Sequence, residues 1–183
     1  MGYRLSKIYT RTGDDGTTGM ADGSRVSKDG SRMHAIGEVD ELNSVIGVVI
    51  NKCEENSVKE NLITIQHDLF NLGGQLSMPD YSMINLARIG WLESTMDTMN
   101  ETLDPLKEFI LPGGAEAASF CHVARATCRR VERALVSLNE QEEIVSELLS
   151  YINRLSDWLF VASRFLNKVE GEAEVYWQSE RLK

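Results

Sequence analysis

The stretch Val39-Asp40-Glu41-Leu42-Asn43-Ser44-Val45-Ile46-Gly47-Val48-Val49-Ile50-Asn51-Lys52-Cys53 decides the fold class. Val39, Leu42, Ile46, Val49, Ile50 and Cys53 recur at the 3.6-residue period, which reads as one apolar stripe on a helix. The same period continues downstream. Ser57-Val58-Lys59-Glu60 reads as a capping box opening a second helix. That helix carries Val58, Leu62, Ile65, Leu69, Leu72 and Leu76, with Pro79 as its stop. Ile84, Ile89, Leu92, Met96, Met99 and Leu103 outline a third helix, broken by Asp104-Pro105. A fourth is predicted from about Ala115 to Leu138. Asn139, with Glu142 three residues on, is expected to cap a fifth that reaches about Val169. Five helices with short connections predict an all-α, antiparallel five-helix bundle.

Outside the helical pattern lie two segments of different character. Residues 1–33 hold Gly13, Gly16, Gly19, Gly23 and Gly30 among Thr, Ser and Asp, which reads as an ordered loop or a disordered arm. Residues 171–183 read as a polar tail. The expected organisation is therefore one domain: an N-terminal arm over 1–33, the bundle over 34–170 and the tail. A length of 183 residues, 42% of them hydrophobic and 26% charged, suits one globular domain with a real core.

Charge and targeting signals narrow the function classes. A net charge of −9 argues against a general nucleic-acid binder, which needs a basic face. Small anionic substrates stay open, because a site can be locally basic on an acidic protein. The longest apolar run, about Val45 to Ile50, falls far short of the roughly 18 residues that span a bilayer, so no membrane partner is expected. No apolar N-terminal secretory segment is present, and Cys53, Cys121 and Cys128 form no CxxC pair. Buried thiols in a reducing cytoplasm are the expectation.

Four constellations can carry chemistry. Thr10-Arg11-Thr12-Gly13-Asp14-Asp15-Gly16-Thr17-Thr18-Gly19 offers small residues whose backbone N–H groups can approach a polyphosphate, with hydroxyls and Arg11 as further donors. It is not a Walker loop, since GxxxxGK[ST] is absent. Asp14 and Asp15 could hold Mg²⁺ or its waters, and Lys28 follows downstream. On the fourth helix, Arg125, Arg129, Glu132 and Arg133 fall within an arc of about 100°, while Arg130 lies off it. Glu132 can pair with Arg129 at i+3, yet one carboxylate cannot neutralise three arginines, which favours an anion or acidic partner. On the fifth helix, Asn153, Arg154 and Asp157 are polar positions amid Ile152, Leu155, Leu159 and Phe160, as interhelix hydrogen bonding requires. Asp40, close to the Val39 stripe, is expected to be partly buried and to seek an arginine of the fourth helix. His34, His67 and His122 show no ligand spacing and read as ordinary helix residues.

Five of these segments together resemble the PduO-type ATP:cob(I)alamin adenosyltransferases, the corrinoid adenosyltransferases. They are Ile8-Tyr9-Thr10-Arg11-Thr12-Gly13-Asp14, Gly37-Glu38-Val39-Asp40-Glu41-Leu42-Asn43-Ser44, Phe109-Ile110-Leu111-Pro112-Gly113-Gly114, Ala124 through Arg133, and Tyr151-Ile152-Asn153-Arg154-Leu155-Ser156-Asp157, in the family's order. The departures are Ile36, where an aromatic residue is frequent, and Arg11, where lysine is also common. The resemblance implies a homotrimer of five-helix bundles with active sites between subunits. It implies transfer of the 5′-deoxyadenosyl group from ATP to the cobalt of cob(I)alamin, with Mg²⁺ accompanying ATP and a reductase or flavin supplying electrons to cob(II)alamin. Thr10, Arg11, Thr12, Gly13, Thr18, Gly19 and Lys28 would bind ATP, joined by Arg129, Arg130, Glu132, Arg133 and Asn153 of the neighbouring subunit. Asp40 would pair with Arg129 across the interface, and Phe109 would lie under the lower face of the corrin ring. Residues alone leave open a non-catalytic ATP- or corrinoid-binding helical trimer, or a module whose arginine face binds an acidic partner. The charge divides along these lines: residues 7–33 carry a net +1, residues 125–133 a net +3, and the rest −13.

Overall fold

A computed structural model describes residues 8–78 and 81–178. Two short antiparallel strands, β1 (Thr17–Gly19) and β2 (Arg25–Ser27), precede five helices: α1 (Ser31–Lys52), α2 (Asn56–Ser77), α3 (Leu86–Asn100), α4 (Glu116–Asn139) and α5 (Ser146–Glu170). Thr17 pairs with Ser27 and Gly19 with Arg25, so the described part of the glycine-rich arm forms a hairpin. Residues 1–7 of the arm, Pro79 and residues 179–183 of the tail lie outside the described residues.

The expected five-helix bundle is present, and its apolar stripes are the ones the period predicts. Val39, Leu42, Ile46 and Val49 of α1 are buried. So are Val58, Leu62, Ile65, Leu69, Leu72 and Leu76 of α2. The α4 helix lies centrally, packed on α1 and α5, while α2 packs on α1 and α3 on α5. Burial of each aliphatic side chain contributes about 1.5–3 kcal/mol, and this stripe-on-stripe burial is the main force holding the bundle.

Two helix starts differ from expectation. The second helix begins at Asn56, one residue ahead of the expected box, and Glu55 takes the capping role. Its carboxylate accepts from the Ser57 amide at 3.2 Å and the Ser57 hydroxyl at 2.8 Å, where the helix dipole favours an anion. Asn139 does not cap the fifth helix; it is the last residue of α4, and its Oδ1 accepts from the Ile144 amide at 3.1 Å. Helical packing of Leu135 and Leu138 carries α4 through that position, so α5 starts only at Ser146. The third helix likewise ends at Asn100, ahead of Asp104-Pro105.

One polar cluster ties the outer helices together. Asp68 of α2 is buried, with its carboxylate held by Arg88 of α3 through bonds of 2.7–3.0 Å. The hydroxyl of Tyr151, fully buried on α5, donates to Asp68 Oδ2 at 2.8 Å. Burial, reinforced by the Asp68 charge, raises the Tyr151 phenol well above its ordinary pKa, so it stays a donor. At the C-terminal end of α2, Arg32 of α1 donates to the Leu76 carbonyl at 2.5 Å and to Glu142 at 2.7 Å. Asp68→Ala strands a guanidinium and a phenol together, and urea denaturation is expected to show a loss of about 3–5 kcal/mol. Tyr151→Phe is expected to lose about 1.5–3 kcal/mol in the same measurement, because one bond to a charged acceptor goes.

Candidate functional site

The N-terminal hairpin is held by its own polar groups. Arg25, on β2, donates from Nε to Thr17 Oγ1 at 3.0 Å and from Nη2 to the Thr12 carbonyl. Lys28 Nζ donates to the Gly13 carbonyl at 2.7 Å. A Cβ on Gly13 would stand 3.0 Å from that Nζ and 3.1 Å from the Thr17 carbonyl oxygen, so any larger residue there would push the lysine outward by a few tenths of an ångström. Thr10 and Thr12 share a hydroxyl–hydroxyl bond of 2.8 Å. Arg11 adopts φ 61°, a left-handed conformation uncommon outside glycine, with its guanidinium 5.7 Å over the Tyr9 ring. Thr10, Arg11, Thr12 and Gly19 are exposed, and Gly13 and Thr18 are half-buried. The result is a shaped, outward-facing loop with hydroxyls and cations on one short segment.

Asp15 is committed within that loop. Its Oδ1 accepts from the Thr17 hydroxyl at 2.8 Å and the Thr17 amide at 3.0 Å, which hold the carboxyl below its ordinary pKa, with Arg25 helping. Among the described residues, no three His, Cys, Asp or Glu side chains gather as a metal cage. A cation that came with phosphate groups would therefore take most of its ligands from those phosphates and water.

The second part of the site is the face shared by α4 and α5. Arg129, Arg133 and Asn153 are exposed, and Glu132 is half-buried beside them. Glu132 does not pair with Arg129; its Oε1 accepts from Asn153 Nδ2 at 2.8 Å and so links the two helices. Arg133 Nη1 donates to the Arg129 carbonyl at 2.9 Å. Among the described residues, neither Arg129 nor Arg133 has a carboxylate partner. Arg130 turns to α1, where it binds Glu38 at 2.5 Å and also Glu41. Arg154 bridges to Glu93 of α3 at 2.8 Å, the interhelix bonding expected of this position, and meets Asp157 within α5 at 3.4 Å.

Asp40 corrects an expectation. It is exposed rather than partly buried, and the fourth-helix arginine on α1 goes to Glu38 and Glu41 instead. The reason is angular: Val39 and Leu42 face inward, and Asp40 is turned about 100° from Val39, past the edge of the stripe.

The third part is a cavity of about 620 Å³ between the 106–110 segment, α4 and α5. Phe109, 74% exposed, stands on its wall with Phe160, His122, Arg125 and Arg129. The backbone of Phe109 is fixed by the tail, which folds back. The Trp177 amide donates to the Phe109 carbonyl at 2.7 Å, and the Leu111 amide donates to the Val175 carbonyl at 2.7 Å. Trp177 and Phe109 rings lie 6.3 Å apart. Buried Arg164 of α5 anchors this strand through Glu174 at 2.5 Å and the Asp104 carbonyl at 2.8 Å.

Sequence reasoning passed over Arg25 and Trp177, and read His122 and Phe160 only as ordinary helix positions. Arg25 and Trp177 carry no local signal, since their partners lie across a hairpin or a whole helix. His122 does have one, a polar residue beside Cys121 on a buried stripe. Burial, with Arg125 nearby, lowers the His122 pKa and keeps its ring neutral; burial likewise lowers that of Arg125, whose Nε has no partner. Cys121 and Cys128 are buried free thiols pushed upward by desolvation, inert at neutral pH.

The arrangement thus joins an apolar cavity with an exposed aromatic ring to a cationic helix face, and adds a hydroxyl-rich loop. A family model described as cobalamin adenosyltransferase matches residues 8–166. The chain is 50% identical over 182 residues to a cobalamin adenosyltransferase of Cupriavidus metallidurans, covering 99% of both. It is 41% identical over 184 residues to a corrinoid adenosyltransferase of Bacillus subtilis, covering 96% of this chain and 94% of that one. A variant PduO-type ATP:corrinoid adenosyltransferase from Lactobacillus reuteri, complexed with cobalamin and ATP, aligns with a TM-score of 0.89 at 35% identity, over 94% of this chain and 100% of that chain. With motifs, bundle and near full-length identity in agreement, the chain belongs to the cobalamin adenosyltransferase family.

Proposed function

We propose that the protein transfers the 5′-deoxyadenosyl group of ATP to the cobalt of a reduced corrinoid and releases triphosphate. The observation that carries this reading is the position of Arg129. It lines the cavity that holds Phe109 and also lies one turn from Arg133 on the cationic face. One side chain thus touches both the space suited to a large apolar ring system and the charge suited to a polyphosphate.

The reaction forms a cobalt–carbon bond at C5′ and breaks the C5′–oxygen bond, whose electron pair leaves with triphosphate. Cobalt is the nucleophile, so no Ser–His–Asp set is needed. The protein positions the two substrates and stabilises the charge of the leaving group. Lys28, Arg129 and Arg133, with the Thr10–Gly13 and Thr18–Gly19 segments, serve that second role; Arg11, Arg130, Glu132 and Asn153 complete the ATP site. Mg²⁺ arrives on the phosphates. Phe109 faces the lower side of the corrin and displaces its axial ligand, which eases reduction of cob(II)alamin by a reductase or flavin.

The site is completed between subunits of a homotrimer. No hydrogen bond or ion pair joins residues 10–28 to Arg129, Arg133 or Asn153 among the described residues, which supports contribution of the loop by a neighbour. Asp40, free of an ion pair within the described chain, would reach Arg129 across that interface; Arg125, with its unpartnered Nε, is the adjacent alternative. Three buried, unpaired cysteines suit a reducing cytoplasm.

Purified protein with cob(I)alamin, ATP and Mg²⁺ is expected to give the absorbance change of adenosylcobalamin and one triphosphate per turnover. Absence of both would leave a non-catalytic binding trimer. Arg133→Ala is expected to raise the KM for ATP about 10- to 150-fold, the equivalent of a charge-assisted contact; an unchanged KM would remove Arg133 from the site. Phe109→Ala is expected to keep ATP affinity while losing most turnover from cob(II)alamin in a flavin-coupled assay, and equal turnover would refute the role given to the ring.

A further inference from the structure

We infer that His122 is a corrinoid-binding residue, its neutral imidazole receiving a carboxamide from the edge of the ring system. The inference rests on the function proposed above and names a contact within it.

His122 lies on α4 at only 4% exposure, yet among the described residues neither Nδ1 nor Nε2 has a hydrogen-bond partner. Its ring meets Phe160 edge-on at 6.3 Å and lines the 620 Å³ cavity beside Phe109. On its other side it borders a second hollow of about 580 Å³ with Gly113 and Ser119. Leaving a buried polar group unpaired is costly, and folded proteins seldom do so. A leucine at this position would pack the stripe at no such cost. The two nitrogens therefore answer a group that comes from outside the chain.

The chemistry of that group follows from the neighbours. Arg125, on the next turn, lines the same cavity and disfavours a second positive charge, as does burial. A neutral imidazole offers one donor and one acceptor. An anion would go to Arg125 or Arg129, and a cation would be repelled by both. The two ring nitrogens point away from each other, so one primary carboxamide meets one of them, its NH₂ donating to the bare nitrogen or its oxygen accepting from the N–H. Corrinoids carry carboxamides around their rim, and the remainder of the wall is apolar, as their ring faces require.

The test compares His122→Phe, which keeps the volume and loses both nitrogens, with His122→Asn, which restores a donor and an acceptor. His122→Phe is expected to raise the KM for cobalamin about fivefold, the equivalent of one neutral hydrogen bond, and to leave the KM for ATP within about twofold. His122→Asn is expected to recover most of the loss. Cobalamins with one rim carboxamide hydrolysed to carboxylate form the second arm: at least one isomer should bind wild type more weakly than cobalamin and lose that handicap in His122→Phe. An unchanged cobalamin KM in His122→Phe overturns the inference, as does a change in trimer mass without a change in that KM. Should His122→Phe fail to fold, a wild type that binds every isomer as tightly as cobalamin overturns it instead. Direct titration of cobalamin reads the same contact without turnover, so loss of the proposed activity and loss of this contact remain separate results.

Discussion

Asn167 fixes where the bundle hands over to the site. From the last turn of α5 its Nδ2 donates to the Gly113 carbonyl at 3.2 Å, and its Oδ1 accepts from the Ala115 amide at 2.9 Å. Gly114 between them has φ 98°, and a Cβ there would stand 2.1 Å from Asn167 Oδ1. Glycine is thus required twice over, by conformation and by space. This lock sets the start of α4 and the exit of the segment that carries Phe109. Everything on α4 that points at the cavity, from His122 to Arg129, inherits its height from this turn.

Around that anchor the molecule separates two tasks. The scaffold is built from aliphatic stripes and from polar clusters that satisfy themselves, as in Asp68–Arg88–Tyr151 and Arg164–Glu174. The site is built from groups that do not. Among the described residues, Arg129 and Arg133 lack carboxylate partners, the Phe109 ring is exposed, and His122 and Arg125 keep unpartnered nitrogens. A folded chain tolerates such groups where a ligand or a neighbouring subunit completes them. The charge follows the same division. An acidic scaffold carries a locally positive face, so that a net −9 and a polyphosphate substrate coexist.

The tail shows how a polar segment acquires a role through distant contacts. Its composition suggests only an end to the last helix, and Gly171 does end it, with φ 75°. Beyond it, Val175 and Trp177 pair with Leu111 and Phe109, and Glu174 neutralises buried Arg164. Phe109 thereby sits beside a single antiparallel bridge, Ile110 to Tyr176, rather than on a free loop. Residue-level motifs at 109–114 carried the family resemblance, but not this support, because the partners lie over 60 residues away.

What the sequence determined by itself was the bundle and the identity of its motifs. Helical period is a local property: Val39, Leu42, Ile46 and Val49 repeat within three turns, so the buried face is written into neighbouring residues. The arginine arc of α4 is local for the same reason. Tertiary structure alone decided which polar groups are spent and which are free. Asp40 stays exposed while Glu38 and Glu41 take Arg130, Glu132 goes to Asn153 rather than Arg129, and Glu55 replaces Ser57 as a cap. Hydrogen bonds and ion pairs depend on ångström-scale approach between segments distant in sequence, and hydrophobic period does not encode that distance. His122 marks the boundary: its place on a buried face was legible, but its two unpartnered nitrogens appear only when α4, α5 and the Phe109 segment enclose one cavity.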